Sequence, residues 1–434
     1  MQLSRSWLDR QGEDRALLQA VDAALADLPA ARIGIAVSGG GDSVALLHLL
    51  ARWSAQTGRS IAAVTVDHQL RASSRAEADA VADLCAKLGV SHDTLVWSRP
   101  AGAGNLAAAA RDGRYGLMAA WARGSGIGCI LLGHTEGDIA ENFLMRLGRS
   151  AGIDGLSAMD PLFTRDGMLW SRPLLGQGRQ SLRDYLGRHG ISWAEDPGND
   201  DPRYARTLAR RALTHPAVTD LGQDPGGLRA LGITASRIAH TSHALRQARA
   251  ALAHYTRLEA AAHVTQRGGD LLLPLAALPA IPADVARRLG VAALQWVGSS
   301  PYPPRRIGAG GLVAAMGAQQ RLTLAGCIVL RRKGCLHITR EYNAVRDLRA
   351  QTDAIWDRRW RLTGPHARDL EVRALGAAVA DLPDWRATGL PRPSLMASPA
   401  VWRGQTLIAA PLAGVNPDWS VQIVADFTSF LLSH

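Results

Sequence analysis

Between Arg32 and about Gly148, short β-branched and apolar runs alternate with alanine-rich stretches of helical character, and this restricts the fold of the 434-residue chain more than any other feature. IGIAV leads into a helix expected from about Ser43 to Ser54, and IAAVTVD into one from about Ser74 to Leu88. HDTLVW precedes a helix from about Asn105 to Arg123, and CILLGH precedes a fourth. Strands this short, separated by whole helices, pair in parallel and are covered by helices on both faces. Ligands in such sheets collect at the carboxyl ends of the strands. The informative positions are therefore Ser38 onward, Asp67 with His68, and Gly133 with His134.

The first of these strand ends reads SGGGDS, from Ser38 to Ser43. Three glycines expose backbone N–H groups that no side chain blocks, and a helix N-terminus follows, so the turn is a phosphate nest. The lysine that reaches the β and γ phosphates in a GxxxxGK[ST] loop is absent, and Asp42 stands beside Ser43 instead. An acidic loop residue suits magnesium bridging phosphates. That favours a site that holds pyrophosphate as a leaving group over γ-phosphoryl transfer. The plainer alternative is a glycine turn capped by Asp42 and Ser43.

Composition narrows the class. No apolar run approaches membrane-spanning length and the first residues lack a signal-peptide core, so a cytoplasmic protein with no membrane association is expected. Cys85, Cys129, Cys327 and Cys335 form no CxxC pair, which argues against a structural zinc, an iron-sulfur cluster or a disulfide framework. The net charge is +11, and only Lys87 and Lys333 are lysines. Arginine suits phosphate because its planar fork bonds bidentately, so a polyanionic partner is expected.

After about Leu208 the alternation stops. A helical stretch runs from about Thr234 to Ala262, RLTLAGCIVL and CLHITR read as a β-hairpin around RKG, and the segment from Trp356 onward is mixed or β-rich. Three parts are expected: a first domain over 1–208, a helical linker and accessory domain over 209–342, for which the resemblance described next implies tRNA contact, and a C-terminal domain over 343–434.

SGGGDS after the first strand resembles the signature of the N-type ATP pyrophosphatases, which cleave ATP between the α and β phosphates and adenylate a carbonyl oxygen. VDHQLR (66–71), AARDGRY (109–115), LGHTEGDIAENFLMRLGRSAGIDGLSAM (132–159), RPLL (172–175) and WAEDPGNDDPRYARTLARR (193–211) follow in the order found in the tRNA(Ile)-lysidine synthetase family. The resemblance implies a Rossmann-like parallel-sheet domain followed by a helical region and a small β-rich domain. It also implies a two-step reaction. ATP adenylates the C2 oxygen of the wobble cytidine of a CAU-anticodon tRNA(Ile) with loss of pyrophosphate. The ε-amine of L-lysine then attacks C2 and expels AMP, which changes the codon read from AUG to AUA. The C-terminal domain reading the acceptor stem is part of that expectation.

Roles follow residue by residue. Ser38, Gly39, Gly40, Gly41, Asp42, Ser43, Asp67 and His68 are the expected ATP-binding set, with Asp42 also a magnesium ligand. On a helix beginning near His134, positions i, i+4 and i+7 group His134, Asp138 and Glu141 on one face, with Ile139, Phe143 and Leu147 facing the core. The matching family positions handle lysine and adenylate, which assigns lysine to Asp138 and Glu141 and α-phosphate charge to His134. Arg111 and Arg114 are expected to neutralise the adenylated intermediate, and Arg206 and Arg210 to contact tRNA. The chain departs from the family string at Gly137, Ile139, Asn142 and Thr207.

Two other readings stay open on sequence: a related 2-thiolating tRNA enzyme, for which four isolated cysteines supply no sulfur-carrying pair, and a tRNA-binding protein with a degenerate nucleotide pocket. A homodimer is also left open.

Overall fold

The computed structural model describes residues 12–28, 30–69, 74–98, 106–195, 203–214, 228, 231–300, 302–304 and 321–433. The end of VDHQLR and the turn after Glu195 lie outside them. The chain divides into two compact units, Met1–Arg249 and Ala250–His434. The expected boundary at 208 falls within a helix of the first unit, and the one at 342 falls inside the second.

The first unit begins with α1 (Arg15–Leu25), β1 (Arg32–Ala36), α2 (Gly41–Thr57), β2 (Ser60–Asp67), α3 (Ser74–Lys87) and β3 (Ser91–Val96). It continues with α4 (Leu106–Gly124), β4 (Cys129–Leu132), α5 (Glu136–Leu147), the single turn α6 (Ile153–Leu156), β5 (Leu162–Arg165) and β6 (Met168–Ser171). α7 (Arg179–Arg188), α8 (Ala205–Thr214) and the start of α9 (Ala235–His263) complete it. The sheet order is β3-β2-β1-β4-β6-β5, and every pairing is parallel except β5 with β6.

Strand β1 is central, and the chain moves to one side of it for β2 and to the other for β4. Side chains on the two sheet faces are buried against different helices. Ile33, Ile35 and Leu131 pack with Leu18, Leu46, Leu50, Trp53, Leu182 and Tyr185. Ala62, Val64 and Ile130 pack with Tyr115, Met118, Ala119 and Trp170. Covering both faces explains why β1, β2 and β4 read as continuous apolar runs. The reversal of direction between β1 and β4 leaves a crevice at their carboxyl ends.

One buried carboxylate fastens this framework. Asp14, just before α1, accepts hydrogen bonds from Arg52 Nη1 (2.8 Å) on α2, and from Arg188 Nη2 (2.9 Å) and His189 Nε2 (2.8 Å) at the end of α7. Burial alone would raise its pKa, but these donors outweigh it and hold the carboxyl at about 2 against an ordinary 3.8. A depressed folded-state pKa stabilises the fold above pH 3.8, and that contribution disappears as the pH falls toward 2. Asp14→Asn is therefore expected to cost roughly 2 kcal/mol at neutral pH. Denaturant titrations of the two proteins should converge in acid, and a constant difference would rule this linkage out.

The second unit is antiparallel. β7 (Thr265–Arg267), β8 (Asp270–Pro274), β9 (Arg321–Leu324), β10 (Cys327–Arg332) and β11 (Cys335–Arg340) form a sheet in the order β7-β8-β11-β10-β9, against which α10 (Ala283–Val297) packs. The expected hairpin is one strand larger, because Ala325 and Gly326, both at positive φ, turn the chain between RLTL and CIVLRR. Lys333 and Gly334 make the second turn in the same left-handed region. Phe427 from the end of the chain joins Leu289, Leu294, Val329 and Ile338 in this core. The remaining strands are β12 (Ala350–Gln351), β13 (Trp360–Thr363), β14 (Glu371–Ala374), β15 (Pro399–Arg403), β16 (Thr406–Ala409) and β17 (Ser420–Ile423). They form a four-stranded sheet, β12-β14-β15-β16, and the pair β13–β17.

Candidate active site

The loop after β1 is built by its own polar groups. Ser43 Oγ accepts from the Ser38 N–H (3.1 Å), lies 3.2 Å from Ser38 Oγ and donates to the Gly40 carbonyl (2.9 Å), which closes a tight ring at the start of α2. Gly39 has φ +85°, a conformation that disfavours any side chain. Behind the loop, the Ala194 N–H donates to the Gly39 carbonyl (3.0 Å), and Trp193 lies against Gly41. Gly133, at the end of β4, lets that strand approach α2, since a Cβ there would stand 2.9 Å from the Asp42 carbonyl oxygen. The two strand ends nearest the crevice are thus brought together by backbone packing.

Helix α5 begins at Glu136, two residues later than the His134 start expected from the sequence. Thr135 is its N-cap, and Asp138 completes a capping box by accepting from the Thr135 N–H (2.9 Å). Ile139 is buried as expected, but Leu147 is half exposed because the helix ends there and nothing covers it. His134 therefore sits outside the helix. Burial lowers its pKa to about 4, with Arg172, Arg206 and Arg111 acting in the same direction and Asp138 against. The imidazole is neutral near pH 7, and its Nδ1 is buried without a hydrogen-bond partner among the described residues. It can offer a hydrogen bond to an oxyanion but not a charge.

Asp138 and Glu141 are both buried, 8% and 1% exposed. Arg206 and Arg210 on α8 lie directly on them. Arg206 donates through Nε to Glu141 Oε2 (2.7 Å) and through Nη2 to Asp138 Oδ1, while Arg210 Nε donates to Glu141 Oε1 (2.7 Å). Desolvation would raise the pKa of Asp138, but Arg206 leads the groups that hold it below the usual carboxylate value. Asp42 goes the other way, since burial raises its pKa more than its arginine neighbours lower it. The two arginines expected at tRNA phosphates are in this structure the counter-ions of the two carboxylates expected to take lysine.

The residues missed in the sequence are Arg165, Arg172 and Arg179. Arg165 stacks on the Tyr115 ring (4.2 Å) and pairs with Asp112 (2.7 Å). Arg172, from RPLL, lies 4.0 Å above Phe163 and donates to the Asp160 carbonyl (2.6 Å). Arg111 and Arg114 are 5.3 and 5.8 Å from the same Tyr115 ring, so the expected pair belongs to a larger arginine cluster. Burial and the neighbouring Arg111, Arg206 and Arg165 depress the pKa of Arg114, although Tyr115 opposes them. Such a group of cations, with neutral His134 beside it, is suited to an anionic ligand. Gly113 has a packing reason within AARDGRY, since Trp97 crosses α4 there and a Cβ would collide with its indole.

At the end of β2, Asp67 Oδ1 accepts from the Gln69 N–H (2.8 Å) and is committed to the turn, a contact that helps lower its pKa. His68 meets Trp97 edge-on at 5.6 Å. Cys85, Cys129 and Cys327 are buried free thiols, and Cys335 is partly buried. Among the described residues, no group of three or more His, Cys, Asp or Glu could hold a metal ion.

Comparison with known proteins follows the same lines. Residues 14–217 match the model of the PP-loop domain family. A tRNA(Ile)-lysidine synthase of Ruegeria pomeroyi is 45% identical over 94% of this chain and 95% of its own length. The chain belongs to the tRNA(Ile)-lysidine synthase family. Other relatives are the tRNA(Ile)-lysidine synthases of Bradyrhizobium sp., 39% identical over 67% of this chain and 81% of that protein, and of Wolbachia pipientis wMel, 32% identical over 76% and 77%. The phosphate loop and the α5 carboxylates lie together at the ends of β1 and β4, joined by Arg179. The protein is an ATP-dependent ligase, and no helix among its described residues is long and apolar enough to cross a membrane.

Proposed function

We propose that this protein adenylates the wobble cytidine of a CAU-anticodon tRNA(Ile) and then ligates free L-lysine to C2, releasing pyrophosphate and then AMP. The observation that carries this reading is the placement of the buried Asp138–Glu141 pair beside Asp42 of the phosphate loop, with Arg179 reaching both Asp42 and Glu141. One end of the crevice suits phosphate, and the other suits an ammonium group.

Magnesium fits the first end. It binds through one or two carboxylates together with substrate phosphates, and Asp42 is a half-buried carboxylate at the loop. Held there, the ion would neutralise charge on the β and γ phosphates, and the N–H groups of the first turn of α2 would bind the same anion. His134 offers its hydrogen bond near the α phosphate, where charge develops. Lysine enters by exchange: an ammonium replaces a guanidinium on Asp138 or Glu141, and the displaced arginine becomes free for the lysine carboxylate or a phosphate.

ATP, magnesium, labelled lysine and a CAU-anticodon tRNA(Ile) transcript test the whole reading. Lysine incorporation with release of AMP and pyrophosphate is the expected result, and a folded protein that incorporates none would refute it. Because the chain carries +11 net charge, tRNA affinity should fall steeply with salt, by roughly a thousandfold between about 50 and 200 mM if some six phosphates are contacted. A flat response in a filter-binding titration would exclude arginine–phosphate docking.

A further inference from the structure

We propose that Arg179 is the pyrophosphate-binding cation of the adenylation step, taking the place of the lysine that the SGGGDS loop lacks. This rests on the adenylating reading above.

The loop faces a leaving group of high negative charge with no basic residue of its own between Ser38 and Ser43. The cation comes from 137 residues further along the chain. Arg179 Nε donates to Asp42 Oδ2 (3.1 Å), and its Nη1 is 3.6 Å from Glu141 Oε1. The guanidinium is thus held at the mouth of the loop by the carboxylate expected to meet magnesium. Arg206 and Arg210 reach Asp138 and Glu141, not Asp42.

Local backbone explains the aim. Arg179 opens α7 after the N-cap Gly178, and the Gln177 carbonyl accepts from the Glu136 N–H (3.1 Å), so α7 starts against the start of α5. A Cβ at Gly178 would come within 3.3 Å of Glu136 Oε1, and one at Gly137 would stand 3.9 Å from Arg179 Nη2. The glycine at 137, where the family string carries an aspartate, adds no side chain of its own beside the guanidinium, which faces Asp42 and Glu141 with Asp138 nearby.

In the reaction, the C2 oxygen of cytidine bonds to the α-phosphorus. The bond from that phosphorus to the bridging oxygen breaks, and its electron pair leaves on pyrophosphate. Arg179 binds the oxygens on which this charge accumulates, through the planar fork that suits phosphate. Its return to Asp42 and Glu141 follows pyrophosphate departure, which links emptying of the loop to the carboxylates that serve the lysine step.

Equilibrium binding of magnesium pyrophosphate and, separately, of AMP to the full-length protein tests the assignment. Arg179→Gln should weaken pyrophosphate binding by about 10- to 100-fold and leave AMP binding within about twofold. Arg179→Lys, which keeps the charge but not the fork, should fall between. Unchanged pyrophosphate affinity in a folded Arg179→Gln protein would overturn the proposal, and so would an equal loss of AMP binding in both variants, which would make Arg179 part of the framework only. If the wild-type protein bound neither ATP nor pyrophosphate, the adenylating reading itself would fail.

Discussion

Asp42→Asn is expected to slow pyrophosphate release by about 10³-fold or more, the scale set by removing a preorganised electrostatic group from a water-excluded site. The side chain is isosteric, so the ring of Ser38, Gly40 and Ser43 that shapes the loop is untouched. What disappears is the negative charge that draws Arg179 to the loop and that we propose meets magnesium. The defect should lie in the first half-reaction alone. Lysine transfer to tRNA already carrying the adenylate, measured in a single turnover, should proceed near the wild-type rate. Full pyrophosphate release by the variant would remove Asp42 from the chemistry.

Asp138→Asn should produce the opposite division. An asparagine carbonyl still accepts the Thr135 N–H and keeps the α5 cap, so fold and loop survive. The charge that Arg206 now neutralises, and that we propose receives the lysine ammonium, is lost. Removing one partner of a buried charge pair costs about 2–5 kcal/mol, so lysine transfer should fall by at least about 30-fold. Adenylated tRNA should accumulate and should be visible as a stable labelled AMP adduct. Equal loss of both half-reactions would show that Asp138 does not serve lysine.

How much of this was legible in the sequence varies by element. β1, β2 and β4, with α2 to α4 between them, could be placed closely because these strands are buried on both faces and their apolar runs have clear ends. β5 and β6 were not anticipated, since β5 is an edge strand with a half-exposed pattern and four residues carry little periodicity. The start of α5 was displaced because a capping box is a local exchange of hydrogen bonds between Thr135 and Asp138 that face-counting does not register. The meander at 321–340 was read one strand short because Ala325 is not a residue that advertises a left-handed turn.

The sequence by itself determined the chemistry: a glycine nest after a buried strand without a lysine, and carboxylates spaced along one helix. Those are short-range facts, set by residue type and spacing within a few turns of chain. Only the tertiary structure decided which cations stand with which anions. Arg179 reaches Asp42, and Arg206 and Arg210 reach Asp138 and Glu141, across 137, 68 and 69 residues. Long arginine side chains look alike on any helix. Their partners are chosen by how α5, α7 and α8 converge at the β1–β4 crevice, where burial makes an unpaired charge too costly to keep.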